Sequence, residues 1–117
     1  MTEPPCPFCA IVAGELPATV VHRGERVVAF RDLNPKAPTH VLVVPAAHHP
    51  DVAALAAADA ATLAELVAVG ARIAAAEAPQ AAGSYRLVFN SGAQAGQSVF
   101  HAHGHVLAGR ELGWPPG

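Results

Sequence analysis

Apolar and polar positions alternate in a way that divides the chain into a hairpin, a strand, one long helix and two further strands. Residues 19–31 place Val20 and Val21 before a polar turn at Arg23-Gly24-Glu25 and Val27-Val28-Ala29-Phe30 after it, the pattern of a β-hairpin. Residues 32–38, Asp-Leu-Asn-Pro-Lys-Ala-Pro, are dense in turn formers and predict a loop. A run of buried character over residues 39–44 predicts a strand that stops at Pro45. Asp59 suits the N-cap of a helix to about Glu77, with Leu63, Leu66, Val67, Gly70, Ile73 and Ala74 as its core face and Pro79 and Gly83 beyond its end. Strands follow at residues 85–90 and 98–108, separated by a glycine-containing loop at 91–96. Residues 11–16 predict a short amino-terminal helix stopped by Pro17. This order gives an α+β fold with a mainly antiparallel sheet, one long helix and a short amino-terminal one, as a single domain over residues 1–117.

Composition narrows the partners. The charge is −2, with seven basic and nine acidic residues spread along the chain, so no basic stripe is offered to a nucleic acid. The most apolar region, residues 52–78, is broken by Asp59, Glu65, Arg72 and Glu77, and it predicts no membrane helix. The first residues show neither a basic n-region nor an apolar h-region, so a cytoplasmic protein is expected. Lys36 is the one lysine among the seven basic residues, so a bound phosphate would be held mostly by neutral donors.

Chemistry concentrates in two places. His101, His103 and His105 alternate with small or apolar residues, and on an extended strand three such rings share one face, roughly 6–7 Å apart. On that reading the face is continued by Val99 and Leu107, while Phe100, Ala102 and Val106 turn into a core. Imidazole is a nucleophile and proton carrier near neutral pH and also a metal ligand, so spacing alone leaves catalysis, metal binding and chance open. The second place is Cys6-Pro7-Phe8-Cys9. In a reducing compartment a C-x-x-C reads as half of a metal site or a redox pair. Tetrahedral zinc needs two further ligands, and His48 or His49 with His101 would complete it; with four protein ligands such a metal is structural.

The residues resemble the histidine triad (HIT) family. His101-Ala102-His103-Gly104-His105-Val106-Leu107 is similar to its His-φ-His-φ-His-φ-φ motif. Gln97-Ser98-Val99-Phe100 before it, and Ala108-Gly109-Arg110 with Gly113-Trp114-Pro115-Pro116-Gly117 after it, extend the likeness. So do Glu15-Leu16-Pro17-Ala18, Phe30-Arg31-Asp32 and Ala37-Pro38-Thr39-His40-Val41-Leu42-Val43-Val44-Pro45. The ending resembles the Hint-type branch, whose members hydrolyse purine nucleoside phosphoramidates. One position departs: Gly104 stands where an apolar side chain is expected, and glycine weakens a strand locally.

The resemblance implies a nucleotide hydrolase or transferase working through a nucleotidyl-histidine intermediate on His103. His105 would contact the phosphate, His101 would orient the nucleophile or ligate zinc, and His40 would support the site. Asn90 and Ser98 would hold the phosphate, with the Ser98 hydroxyl near the leaving group, and Gln97 would belong to the nucleotide-binding residues. Asp32 would accept from the ribose hydroxyls, and Phe8, Ile11, Phe30 and Leu33 would form the base slot. Cys6, Cys9, His48 and His101 would bind zinc, as in some HIT members and the related galactose-1-phosphate uridylyltransferases, with His48 preferred to His49. No organic cofactor is expected. The partners implied are a purine nucleotide or nucleoside phosphoramidate and a second copy of the chain. The alternatives are a dinucleoside polyphosphate hydrolase of the same family, a non-catalytic nucleotide-binding module and a pure metal-binding protein.

Overall fold

A computed structural model describes residues 6–117. A five-stranded antiparallel sheet forms its centre, built from β1 (Val20–Arg23), β2 (Val27–Arg31), β3 (Thr39–Pro45), β4 (Arg86–Phe89) and β5 (Gly104–Ala108) in the order β1-β2-β3-β5-β4. Helix α1 (Pro7–Val12) precedes the sheet, and α2 (Val52–Ala58) and α3 (Ala60–Glu77) lie between β3 and β4. The α+β class read from the sequence is the fold observed.

Period-two alternation sorts the strands into two cores. Val27, Ala29, Val41, Val43, Val106 and Ala108 pack with Leu66, Val69 and Ala74 of α3. Val28, Phe30, Leu42 and Val44 point the other way, against Phe8 and Ile11 of α1. The ladder aligns Phe30 with Leu42, Leu42 with His105 and His40 with Leu107, so both histidines stand on the α1 side.

Four local expectations need correction. Helix α1 spans Pro7–Val12 rather than 11–16, because Cys6 caps it: the Cys6 Sγ accepts the Cys9 N–H at 3.3 Å, and Pro7 opens the first turn. A separate helix, α2, precedes the long one, capped by an Asp51 carboxylate that accepts the Ala54 N–H at 2.8 Å. Asp59 caps α3 as expected, accepting the Thr62 N–H at 3.1 Å, but Val67 of that helix is exposed and Val69 is the residue in the core. The last strand begins at Gly104, not at residue 98. Phe100 consequently lies 52% exposed instead of in a core, whereas Ala102 and Val106 are buried.

Gly104 strengthens the packing rather than loosening it. A Cβ there would sit 2.9 Å from Leu87 Cδ1 and 3.0 Å from Phe89 Cε1, so its missing side chain is the notch that β4 fills. Gly104→Val is expected to cost about 1–3 kcal/mol through overpacking. Chemical denaturation checks this, and an unchanged midpoint would refute it.

Candidate active site

The open side of the sheet, beside α1, holds a cleft of roughly 890 Å³. Its walls include Phe8, Ile11, Phe30, Leu33 and Leu42, with Asp32 and Ser98 at polar positions and His103 and His105 opening onto it. The apolar slot expected from Phe8, Ile11, Phe30 and Leu33 is therefore assembled, although Leu33 is 97% exposed and lends only one edge of itself. Pro7, Thr19, Arg31 and Val99 also line the cleft. Arg31 lies within the Phe30-Arg31-Asp32 motif but is not among the expected site residues; its guanidinium is held in a two-pronged pair by Glu77 at 2.9 and 2.7 Å. Glu77 raises its already high pKa.

Hydrogen bonds fix which nitrogen of each ring carries a proton. The Lys36 backbone N–H can only donate, so His40 Nδ1, 3.0 Å away, accepts and is bare. His40 Nε2–H then donates to His105 Nδ1 at 2.9 Å, with the Asp32 carboxylate 3.6 Å from the same nitrogen. That leaves the His105 proton on Nε2. His103 Nδ1–H donates to the His101 main-chain carbonyl at 2.8 Å, which in the neutral ring puts the lone pair on Nε2. The two rings stand 5.0 Å apart, one a hydrogen-bond donor and the other a free base.

Burial pushes the His105 imidazolium down to about 4, and the neighbouring His103 and His40 act in the same direction. Burial also lowers His40, against the pull of Asp32. The two rings therefore stay neutral at neutral pH, as the single shared proton requires. For stability, the unfolded chain protonates His105 below about pH 6.5, while the folded chain resists until about 4. Stability is thus complete above that window and drains away as pH falls through it. The melting temperature is expected to fall across this range, and to fall less in His105→Asn; identical pH profiles would contradict the assignment.

His101 does not stand beside the other two rings. It is fully buried, and its Nε2–H donates to the Pro45 carbonyl at 2.8 Å, so Nδ1 is bare. That nitrogen lies 3.4 Å from Cys6 Sγ, 3.5 Å from Cys9 Sγ and 3.3 Å from His48 Nδ1, with Cys9 Sγ and His48 Nδ1 3.4 Å apart. The expected row of three rings on one face is corrected accordingly. The strand starts after His103, and His101 turns toward the cysteines while only its carbonyl reaches the nucleophile candidate.

Two thiols and two imidazoles, with donor atoms all within 4.8 Å of one another, form a four-donor set. Zinc bonds of about 2.0–2.3 Å imply tetrahedral ligand–ligand edges of about 3.3–3.8 Å, and those four separations fall in that range. The residues fit zinc, and His48 rather than His49 supplies the second imidazole. Without a metal charge, burial and the Cys6 thiol push the Cys9 thiol up to about 11.

Two expected nucleotide-binding residues do not line the cleft. Gln97 is buried with its amide fully committed: Oε1 accepts from the Gly92 N–H at 2.9 Å, and Nε2 donates to the Pro50 and Val99 carbonyls at 2.8 and 3.0 Å. It staples the loop that carries Ser98. Asn90 sits at the end of β4, half-buried, and does not line the cleft.

The family model described as "HIT domain" matches residues 13–112. The chain is 40% identical to the purine nucleoside phosphoramidase of Escherichia coli over 106 residues, which cover 91% of this chain and 88% of that one. It is 40% identical to a 14 kDa zinc-binding protein of Zea mays over 120 residues, 100% of this chain and 91% of the relative. The crystal structure of a HIT family hydrolase from Legionella pneumophila superposes with a TM-score of 0.90 at 42% identity, covering 97% of this chain and all of that one.

Proposed function

The chain belongs to the HIT family, and on that premise we propose that it hydrolyses purine nucleoside phosphoramidates through a nucleotidyl-His103 intermediate. The single observation that carries this reading is the opposed protonation of the two rings on the cleft. His103 offers a lone pair at Nε2, and His105 offers a proton at Nε2 beside it.

The base enters the slot between Phe8, Ile11, Phe30 and Leu33, and the ribose hydroxyls donate to Asp32. The Asp32 carboxylate is steadied for this by the Asn34 N–H at 2.8 Å. His103 Nε2 attacks the α-phosphorus as the P–N bond breaks, and the amine leaves with a proton relayed to it from solvent through the Ser98 hydroxyl. His105 Nε2–H stabilises the charge growing on the phosphoryl oxygens. His40 holds His105 in the tautomer that can do so. Water then attacks the phosphorus, releasing the nucleoside monophosphate and restoring the imidazole. Zinc held by Cys6, Cys9, His48 and His101 would supply a fixed structural node, since four protein ligands leave no place for a reactive water.

The same reading places the protein in the cytoplasm as a homodimer, with α3 and the outer edge of β4 as its contact surface. Among the described residues no helix is long and apolar enough to cross a membrane.

Mass spectrometry of an acid-quenched reaction with adenosine phosphoramidate tests the chemistry. The expected result is an added adenylyl group mapped to the peptide containing His103. Faster turnover of a diadenosine polyphosphate than of the phosphoramidate would move the substrate class. Absence of turnover with both would leave a nucleotide-binding module only.

A further inference from the structure

The metal donor set and the cleft are built from the same short segments of chain. Cys6 and Cys9 point to the metal donors, while Pro7 and Phe8 between them line the cleft. The Phe8 ring meets His103 edge-on, with centroids 5.0 Å apart at 89°, and stands 6.0 Å from His101 and 5.3 Å from Phe30. On the other side, His101 offers its ring to the metal donors and its carbonyl to His103 Nδ1–H at 2.8 Å. Phe8 packing and the His101 carbonyl thus clamp His103 from two directions, and both clamps are hinged on metal ligands. Helix α1, which carries Phe8, is only six residues long, too short to hold its place by its own hydrogen bonds.

We infer that metal binding and nucleotide binding are thermodynamically linked through Phe8, so that each tightens the other by the same factor. The inference rests on the reading of the cleft as a nucleotide site. The physical reason is that one ordering event serves both ligands. Cys6 and Cys9, held with His48 and His101 by a metal, would keep Phe8 seated against His103 and the slot formed. A base lying against Phe8 holds the same segment in the geometry the metal requires. Linkage of this kind is reciprocal by necessity and typically amounts to roughly five-fold or more in affinity. Phe8 is here a positioning residue for His103 as well as a wall of the slot.

The test uses adenosine monophosphate, which has no P–N bond to break. Zinc affinity is measured by competition with a chromogenic chelator, with and without saturating nucleotide. Nucleotide affinity is measured by calorimetry, with and without zinc. The expected result is a gain of roughly five-fold or more, equal in the two directions. In Phe8→Ala, which keeps all four metal donors, the gain is expected to fall to near unity although zinc still binds. If Phe8 were only a base contact, Phe8→Ala would weaken nucleotide binding equally with and without zinc, and the linkage factor would survive; that result overturns the inference. If the metal-free chain does not fold, nucleotide would protect zinc in Phe8→Ala as strongly as in the wild type, which overturns it too. Equal nucleotide affinity with and without zinc removes the linkage but leaves the nucleotide site standing. No nucleotide binding in either form removes the reading of the cleft itself, and failure to bind zinc removes the linkage.

Discussion

His103→Ala is expected to leave a folded protein whose kcat on adenosine phosphoramidate falls at least roughly a thousandfold. Among the described residues lining the cleft, the ring supplies the one imidazole nitrogen whose lone pair is not already taken by a hydrogen bond, since His105 Nδ1 is engaged by His40. A thousandfold loss corresponds to about 4 kcal/mol of transition-state stabilisation. The structural cost is smaller. One hydrogen bond to the His101 carbonyl and one aromatic edge contact with Phe8 are lost, about 1–2 kcal/mol together. Steady-state kinetics beside a thermal melt separates the two effects. The contrast with His105→Asn is informative, because that substitution removes a donor to the phosphate and leaves the attacking nitrogen intact. A His103→Ala enzyme that keeps a tenth of wild-type turnover would mean another group does the chemistry.

The strands were legible where alternation and ladder coincide. Residues 27–30 and 41–44 alternate between two apolar faces, and each face has its own core to fill. Alternation misled at residues 98–103, where the period of two continues but the ladder does not. His101 follows the cysteines instead of the strand, and a metal site imposes its own geometry on the backbone that carries its ligands. Helix α2 escaped detection because its seven residues bury only Leu55, so no periodic core face exists to be read; the one signal was Asp51 following Pro50. The amino-terminal helix was misplaced because Pro17 was read as its stop, when the capping Cys6 already fixed its start.

The site was legible in its residue types more than in their connections. Histidine and cysteine spacing pointed to both the nucleophile pair and the metal donors, since few other residues can serve in those roles. The division of labour within His101, ring to the metal donors and carbonyl to His103, depends on backbone direction and leaves no mark in the sequence. Gly104 is the reverse case. It looked like a weakness until its cross-strand partner, Phe89, showed what occupies the space. Gln97 enters the expected nucleotide-binding residues through the family resemblance. Its amide is consumed by two backbone groups of its own loop, at Gly92 and Val99, and by the Pro50 carbonyl ahead of α2, so it ties the Ser98 loop down without lining the cleft.

Removing zinc is expected to cost more in stability than His103→Ala does. Metal binds the folded donor set far better than the unfolded chain, so its binding energy becomes folding energy. With free zinc at a thousand times its Kd the gain is about 4 kcal/mol. For a chain of 117 residues that is about 10–20 °C in melting temperature. Chelation, or Cys6→Ser, should therefore lower the melting temperature by about that much, and added zinc should restore the chelated wild type but not the variant. Cys6→Ser also removes the sulfur that caps α1, but a serine hydroxyl can accept the same N–H, so the loss is assigned to the metal. His49→Ala serves as the control, because His49 lies outside the donor set and its hydrogen bond to the Ala102 N–H, at 2.7 Å, is made by the backbone carbonyl and survives the substitution. A zinc-free preparation that melts with the loaded protein would show that the four donors gather without needing a metal to hold them.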